Sequence, residues 1–370
     1  NKATVAEVQA TVTAANAALA KIEAHTEGDD ALSINDYEAV GVLNVTDDNL
    51  LAVNAQVVRA GELAADSVAE IAGLVDAANN ALTYIISDIT PLTSIETIDA
   101  ATQIEAYSAA GIVDITEANL LAVNAQIRKQ LAVDSNATDN LDTVADIQGK
   151  VTLANDAITY LDTTVALNTD YETLIQAEQV TAYHEVGVLS VSADNVLAVN
   201  AQMRAATDKG TVAQIQTIVG LANDAIAYIS NIVAPEQNVE TIALEEQIAA
   251  YSAAGVTNVT EGNILAVNAQ VRLVGDIADK DSVSELQNFV TLADEALIYL
   301  TTVAAETTFD TITEIEQLGA YAAAGVLNVT TDNLLAVNAQ MRATENKATV
   351  AEVQATVTAA NAALAKIEAH

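Results

Sequence analysis

Apolar residues recur at a 3-4-3-4-3 spacing in six places along the chain. The series Val144, Ile147, Val151, Ala154, Ile158, Leu161 is matched by Val68, Ile71, Val75, Ala78, Leu82, Ile85 and by Val212, Ile215, Val219, Ala222, Ile226, Ile229. It returns as Val283, Leu286, Val290, Ala293, Leu297, Leu300, and at both ends as Val5, Val8, Val12, Ala15, Leu19, Ile22 and its duplicate from Val350. Such spacing is one apolar stripe on a helix of about five turns, with the Asp, Glu, Asn, Gln and Thr between on the wet faces.

A second pattern precedes each of the later stripes. The hexapeptide Leu-Ala-Val-Asn-Ala-Gln starts at Leu51, Leu121, Leu197, Leu265 and Leu335, spaced by 70, 76, 68 and 70 residues. Thr46, Thr116, Ser192, Thr260 and Thr330 stand before it as N-caps, followed in the first copy by Asp47 and Asp48, which suit a helix N-terminus. The pairs Val45/Leu50, Ile115/Leu120, Val191/Val196, Val259/Ile264 and Val329/Leu334 are spaced as hydrophobic staples. Arg59, Arg128, Arg204, Arg272 and Arg342 stand near the far end, where a cation suits the helix's own last carbonyls.

A third, shorter helix is expected before each cap. It carries Ile34, Tyr37 and Val40 in the first copy, and Ile104, Tyr107 and Ala110 in the second, on its core side. It ends at Gly41, Gly111, Gly187, Gly255 and Gly325, where glycine takes the left-handed C′ conformation. Ser33 with Asp36, Thr93 with Glu96, Thr169 with Glu172 and Thr311 with Glu314 read as capping boxes at its start. From each Tyr to the hexapeptide is always 14 residues, so length changes fall in the connectors.

The expected fold is therefore all-α: a tandem array of five three-helix-bundle repeats of about 70 residues, plus one leading helix. The boundaries read 1–25 for the last helix of a preceding repeat, then 26–90, 91–165, 166–233, 234–304 and 305–370. Asn1–His25 and Asn346–His370 are identical at an offset of 345 residues, which predicts one period, plus an overlap, of a longer array. Units this small bury few aliphatic side chains against the entropy of ordering them, so contacts between neighbouring units are expected to contribute.

Composition narrows the partners. With 51 acidic and 13 basic residues the net charge is -38, which repels nucleic acid and anionic lipid. Polar residues interrupt every apolar run too early for a membrane span. There is no Cys, hence neither a disulfide nor a thiolate metal site. Head-to-tail or lateral association with copies of itself is expected to strengthen with salt or divalent cations, which screen this charge.

The segment YEAVGVLNVTDDNLLAVNAQV from Tyr37, followed by the Asp66-Ser-Val-Ala-Glu-Ile helix, resembles the helical tandem repeats of very large bacterial surface adhesins. The helix order also resembles the three-helix albumin-binding modules of Gram-positive surface proteins. The resemblance covers essentially the whole chain. It implies an extracellular stalk or matrix-contacting region. Albumin binding does not carry over, because the connectors differ in length and no binding-face residue matches.

Candidate chemistry is sparse. The paired asparagines Asn49/Asn54, Asn119/Asn124, Asn195/Asn200, Asn263/Asn268 and Asn333/Asn338 read as structural. The first lies near the cap; the second's amide is expected to satisfy carbonyls of the glycine loop. His25, His184 and His370 do not cluster, and the acidic segment 25–30 lacks the spaced oxygens of an EF-hand. Sequons at Asn44, Asn136, Asn258 and Asn328 fall mostly on the Asn-Val-Thr cap. Nine of ten tyrosines sit at two repeated helix ends, where packing with a wet phenol tip is expected. No phosphate loop, zinc helix or nucleophile elbow is present, so no enzyme, cofactor or metal is expected. Two functions remain: a structural or adhesive array, and repeated modules that bind a host protein or matrix ligand.

Overall fold

A computed structural model of the chain describes residues 4–61, 65–133, 141, 143–235, 241–275, 280–302, 307–345 and 347–369. Among them the regular structure is entirely helical. In chain order the helices are α1 (Val5–Glu23), α2 (Ile34–Ala39), α3 (Leu50–Ala60), α4 (Val68–Tyr84), α5 (Ala100–Ala109) and α6 (Leu120–Val133). Then come α7 (Val144–Tyr160), α8 (Gln176–Glu185), α9 (Val196–Ala205), α10 (Val212–Tyr228) and α11 (Leu244–Ala253). The series closes with α12 (Ile264–Leu273), α13 (Val283–Thr302), α14 (Glu314–Ala323), α15 (Leu334–Ala343) and α16 (Val350–Glu368). None of the described helices is long and apolar enough to cross a membrane.

The helices gather into two units. One comprises residues 1–162, 181–189 and 209–215, and the other residues 163–180, 190–208 and 216–370. Within the first, α1 packs on α2, α3 on α4 and α6 on α7, while α5 lies against both α3 and α4. Within the second, α12 packs on α13 and α14, α15 on α16, and α11 on α9 and α12.

The long stripe helices α4, α7, α10, α13 and α16 bury most of the residues their spacing selects, with Val68 and Ile367 exposed at the ends of two of them. Ile71, Val75 and Ala78 of α4, and Val283, Leu286, Val290, Ala293, Leu297 and Leu300 of α13, are out of solvent. The stripe of α1 departs furthest: Val5, Val8 and Val12 are exposed. The stripe helices run 17 to 20 residues, about five turns as expected. After α4, α7 and α10 the chain widens into a π-helical turn, Ile85–Ile89, Leu161–Val165 and Ile229–Val233. The wider turn keeps both of its aliphatic ends buried.

Arg59, Arg204, Arg272 and Arg342 stand in the last turns of their helices as expected, but the carbonyls that Arg128, Arg204 and Arg272 bond lie elsewhere. Arg128 Nη1 donates to the Thr90 and Leu92 carbonyls at 2.7 and 2.6 Å, Arg204 Nη1 to Ala166 at 2.8 Å and Arg272 Nη1 to Ala234 at 2.7 Å. The carbonyls they cap thus follow the π-helical turn 38 residues upstream, rather than ending their own helices. Arg59 instead pairs with Glu105.

Three of the four expected capping boxes move. Ser33 and Asp36 form the one at α2 as read. The cap of α5 is Asp99 rather than Thr93, that of α14 is Thr313 with Glu316 rather than Thr311 with Glu314, and α8 starts only at Gln176. On the short helices Tyr37, Val40, Tyr107 and Ala110 are buried as expected, while Ile34 is half-buried. Gln103 and Ala106 face inward beside Tyr107, and Ile104 is half-buried.

Candidate functional site

The residues that recur most strictly build one local scaffold, five times. It begins where the short helix ends. Gly41 has φ +82° and donates to the Glu38 carbonyl, while Val42 donates back to Tyr37 at 3.0 Å, which is the Schellman arrangement. Three residues on, a second left-handed position appears at Asn44, Asp114, Ser190, Asn258 or Asn328, with φ from 62° to 66°. Asn and Asp tolerate that conformation better than other side chains, which accounts for three of the sequons. Asn136, the fourth, lies outside the described residues.

The first asparagine of each pair clamps this loop. Asn49 Oδ1 accepts from the Thr46 N–H, and its Nδ2 donates to the Asn44 carbonyl and to Asn79 Oδ1, each at 2.8 Å. Asn119 does the same with Thr116, Asp114 and Asn155, and Asn195 with Ser192, Ser190 and Asn223. Asn263 uses Thr260, Asn258 and Asp294, and Asn333 uses Thr330, Asn328 and Asn361. The regular helix begins one residue later, at Leu50 and its counterparts, so the Thr or Ser opens a preliminary turn rather than the α-helix itself.

The second asparagine has a different task from the one expected. It does not reach the glycine loop; the first asparagine holds that. Tyr107 Oη donates to Asn124 Oδ1 at 2.6 Å, Asn124 Nδ2 donates to Gln103 Oε1 at 3.0 Å, and Gln103 Nε2 donates to the Ile98 carbonyl at 2.6 Å. The relay returns as Tyr251–Asn268–Gln247–Ile242 and as Tyr321–Asn338–Gln317–Ile312. Asn200 engages Gln179, which donates to Leu174. In the first copy Ser33 stands where the others have Gln, and Asn54 Nδ2 goes directly to the Leu32 carbonyl at 3.0 Å. These tyrosines are fully buried, which corrects the expected wet phenol; Tyr84, Tyr160 and Tyr299 at the other helix ends are exposed. Burial pushes the Tyr37, Tyr107 and Tyr251 phenols well above the ordinary tyrosine value, so each remains a proton donor.

A seam joins each hexapeptide helix to the next short helix. Gln56 Nε2 donates to the Ala109 carbonyl at 2.5 Å, and Gln126, Gln202 and Gln270 donate to Glu185, Ala253 and Ala323 at 2.7–2.8 Å. Just beyond those carbonyls lies the glycine. A Cβ added at Gly111 would stand 2.9 Å from Ala55 Cβ and 3.0 Å from the Leu51 carbonyl oxygen, with the same pair of clashes for Gly187 at Ala125 and Leu121. At Gly255 it would meet Leu197 O at 2.6 Å, and at Gly325 it would press still closer on Leu265 O. Gly41 has open space there. In the first two copies every residue of the hexapeptide is thereby used: Leu and the second Ala meet the glycine, the first Ala and Val fill the core, Asn serves the relay and Gln ties the seam.

Between a stripe helix and the following short helix runs a shallow groove. One, of about 530 Å³, is rimmed by Asp224, Tyr228 and Glu246; its counterpart, of about 550 Å³, is rimmed by Glu295, Tyr299 and Glu316. Both floors are mostly alanine. Elsewhere, segment 25–30 closes on itself through the Thr26 N–H to Asp29 bond. No group of three or more His, Asp or Glu that could hold a metal occurs among the described residues, and His370 lies outside them.

The partners Gln103, Gln179, Gln247 and Gln317, and Asn79, Asn155, Asn223, Asp294 and Asn361, were not singled out by sequence reasoning. Their signals were present: a Gln four residues before Tyr, and a polar residue directly after the central Ala of each stripe. Comparison with known protein families, curated proteins and solved structures finds no significant match.

Proposed function

We propose that this chain is a structural, adhesive tandem-repeat segment of a very large secreted bacterial surface protein. It would form part of an extended stalk, fibre or filament in cell-surface or biofilm attachment. Five three-helix units, 26–90, 91–165, 166–233, 234–304 and 305–370, follow the last helix of another unit at 1–25. The reading is extracellular and non-enzymatic, with no cofactor, no nucleic acid partner and no membrane insertion. Its partners are neighbouring repeats and copies of itself, assisted by salt or divalent cations.

The observation that carries it is the use made of the recurrent polar residues. Asn49, Asn124, Gln126 and their counterparts are engaged with backbone and with one another, so the strictest part of the sequence serves to hold helices in register. Small-angle scattering tests the array. A radius of gyration clearly above ~21 Å, the value for a single globular domain of this length, is expected. A value near ~21 Å would contradict the extended reading.

The alternative, repeated modules for a host protein or matrix ligand, is favoured by one feature. The grooves at Tyr228 and Tyr299 recur about 70 residues apart with an acidic rim and apolar floor, which suits a ligand with a cationic edge. Saturable capture of such a ligand, lost on Tyr228→Ala with Tyr299→Ala, would favour it.

A further inference from the structure

Helices α7, α10 and α13 carry a second stripe that the core does not use. Leu221, Asp224 and Tyr228 of α10 stand at i, i+3 and i+7, on a face apart from the core positions Val219, Ala222 and Ile226. Leu292, Glu295 and Tyr299 repeat it on α13, and Leu153, Asp156 and Tyr160 on α7. Leu221 and Leu292 are 52 and 38% exposed. Asp224 and Glu295 have neither a hydrogen bond nor an ion pair among the described residues. The leucine and the carboxylate also vary together along the chain. Helix α4 has Ala77 and Asn80 at these places, α1 has Ala14 and Ala17, and α16 has Ala359 and Ala362. Packing alone would keep the leucine, and solubility alone would keep the acid. Their joint presence marks one surface.

On α10 and α13 this stripe is one wall of the groove toward the following short helix. Each position lining one groove has its counterpart lining the other, about 70 residues on. The floors are small, with Ala225 and Ala249 in the first and Ala296 and Gly319 in the second. Glu246 or Glu316 stands on the far wall, and neither groove is lined by Lys or Arg. Tyr299 rests edge-on against the buried Phe309, ring centroids 6.2 Å apart, and Tyr228 Oη donates to Glu246 at 3.3 Å. Both aromatic walls are therefore set without a ligand.

These features select the occupant. A floor of Ala and Gly lets a third helix lie close to the two that form it, with its apolar side chains against Leu and Tyr. An extended segment would leave its main-chain groups against alanine without partners, because helical walls keep their own amides and carbonyls internal. Carboxylates on both walls call for cations along the borders of the docked face. We propose that each groove docks an amphipathic helix whose apolar face is bordered by Lys or Arg. The proposal rests on the reading of the repeats as binding modules and names the ligand class they take.

The probe is a labelled helical peptide of about four turns, with leucines on one face and lysines along its borders. It is titrated into the full chain and followed by fluorescence anisotropy. Saturable binding is expected, weakening as salt screens the rims. A peptide of the same composition in scrambled order should bind at least about tenfold more weakly. Leu153→Ser, Leu221→Ser and Leu292→Ser together change no charge and should weaken the patterned peptide by a similar factor of about ten. Asp156→Asn, Asp224→Asn and Glu295→Gln together should weaken it too and flatten its salt dependence. All six positions are exposed, so both variants keep the helical fold, which circular dichroism checks. Equal binding of the two peptides, or binding that survives the leucine substitutions, would reduce the attraction to net charge and overturn the proposal. The module reading fails separately. A chain that ignores the helix yet saturably captures another cationic ligand, lost on Tyr228→Ala with Tyr299→Ala, would overturn the helical occupant and keep the module.

Discussion

An amide side chain donates and accepts at once, and at Asn124 both capacities are used against partners that are themselves buried. The Tyr107 phenol, kept protonated by burial, donates to it, which fixes the amide so that its nitrogen faces Gln103. Asn124→Leu leaves the phenol without its acceptor and Gln103 without its donor. Each such loss costs about 1–3 kcal/mol, so a loss of roughly 2–6 kcal/mol is expected in urea unfolding. An unchanged unfolding curve would remove the relay from the account. The asparagine was legible as structural, because its spacing from Tyr never varies. Its partners were not, since a lone Gln on a polar helix face looks like surface, and nothing local marks a phenol as dry. The positions of Asn49 and its counterparts were legible too, yet the loop-clamping role belonged to them and not to Asn54.

At the scale of elements, the stripe helices were plain because their period is long and repeated. Helix starts were harder. Thr, Ser, Asp and Glu crowd the connectors, so capping pairs arise by composition; Thr93/Glu96 gave way to Asp99 with Thr102. The π-helical turns left no trace, because a five-residue turn preserves nearly the same apolar spacing as an α-turn. The corner between α1 and α2 makes a pH prediction. Burial alone would raise the Asp36 carboxyl, but the Lys21 ammonium and the Ser33 N–H and hydroxyl outweigh it and hold it down at about 2, from an ordinary 3.8. A carboxyl lowered by folding stabilises the fold above its unfolded value, and that contribution is lost as pH falls through the folded one. The corner should therefore loosen between about pH 4 and pH 2. Lys21→Met should move the Asp36 titration, followed by carboxyl carbon NMR, upward within that window. Titration of wild-type Asp36 near its ordinary value would contradict the pairing.

Across the whole molecule, the fixed distance from Tyr to hexapeptide showed that a rigid piece was being copied. It did not show what the copies do to each other. The glycines illustrate why: all five have left-handed φ, so each reads as a C′ cap, yet four also lie against the hexapeptide helix before them and Gly41 does not. Only a tertiary neighbour distinguishes them. The central claim is that the recurrent residues form seams that couple a hexapeptide helix to the short helix that follows it, and a pair of glycine substitutions tests it most directly. Gly41→Ala should cost only the left-handed strain of about 1–2 kcal/mol, whereas Gly325→Ala should add roughly 1–3 kcal/mol of overpacking against Leu265. Hydrogen exchange by mass spectrometry reads where each cost falls. The account predicts that Gly41→Ala speeds exchange around residues 34–42 alone, and that Gly325→Ala speeds it in both α12 and α14. Equal, local effects for the two substitutions would contradict the seam.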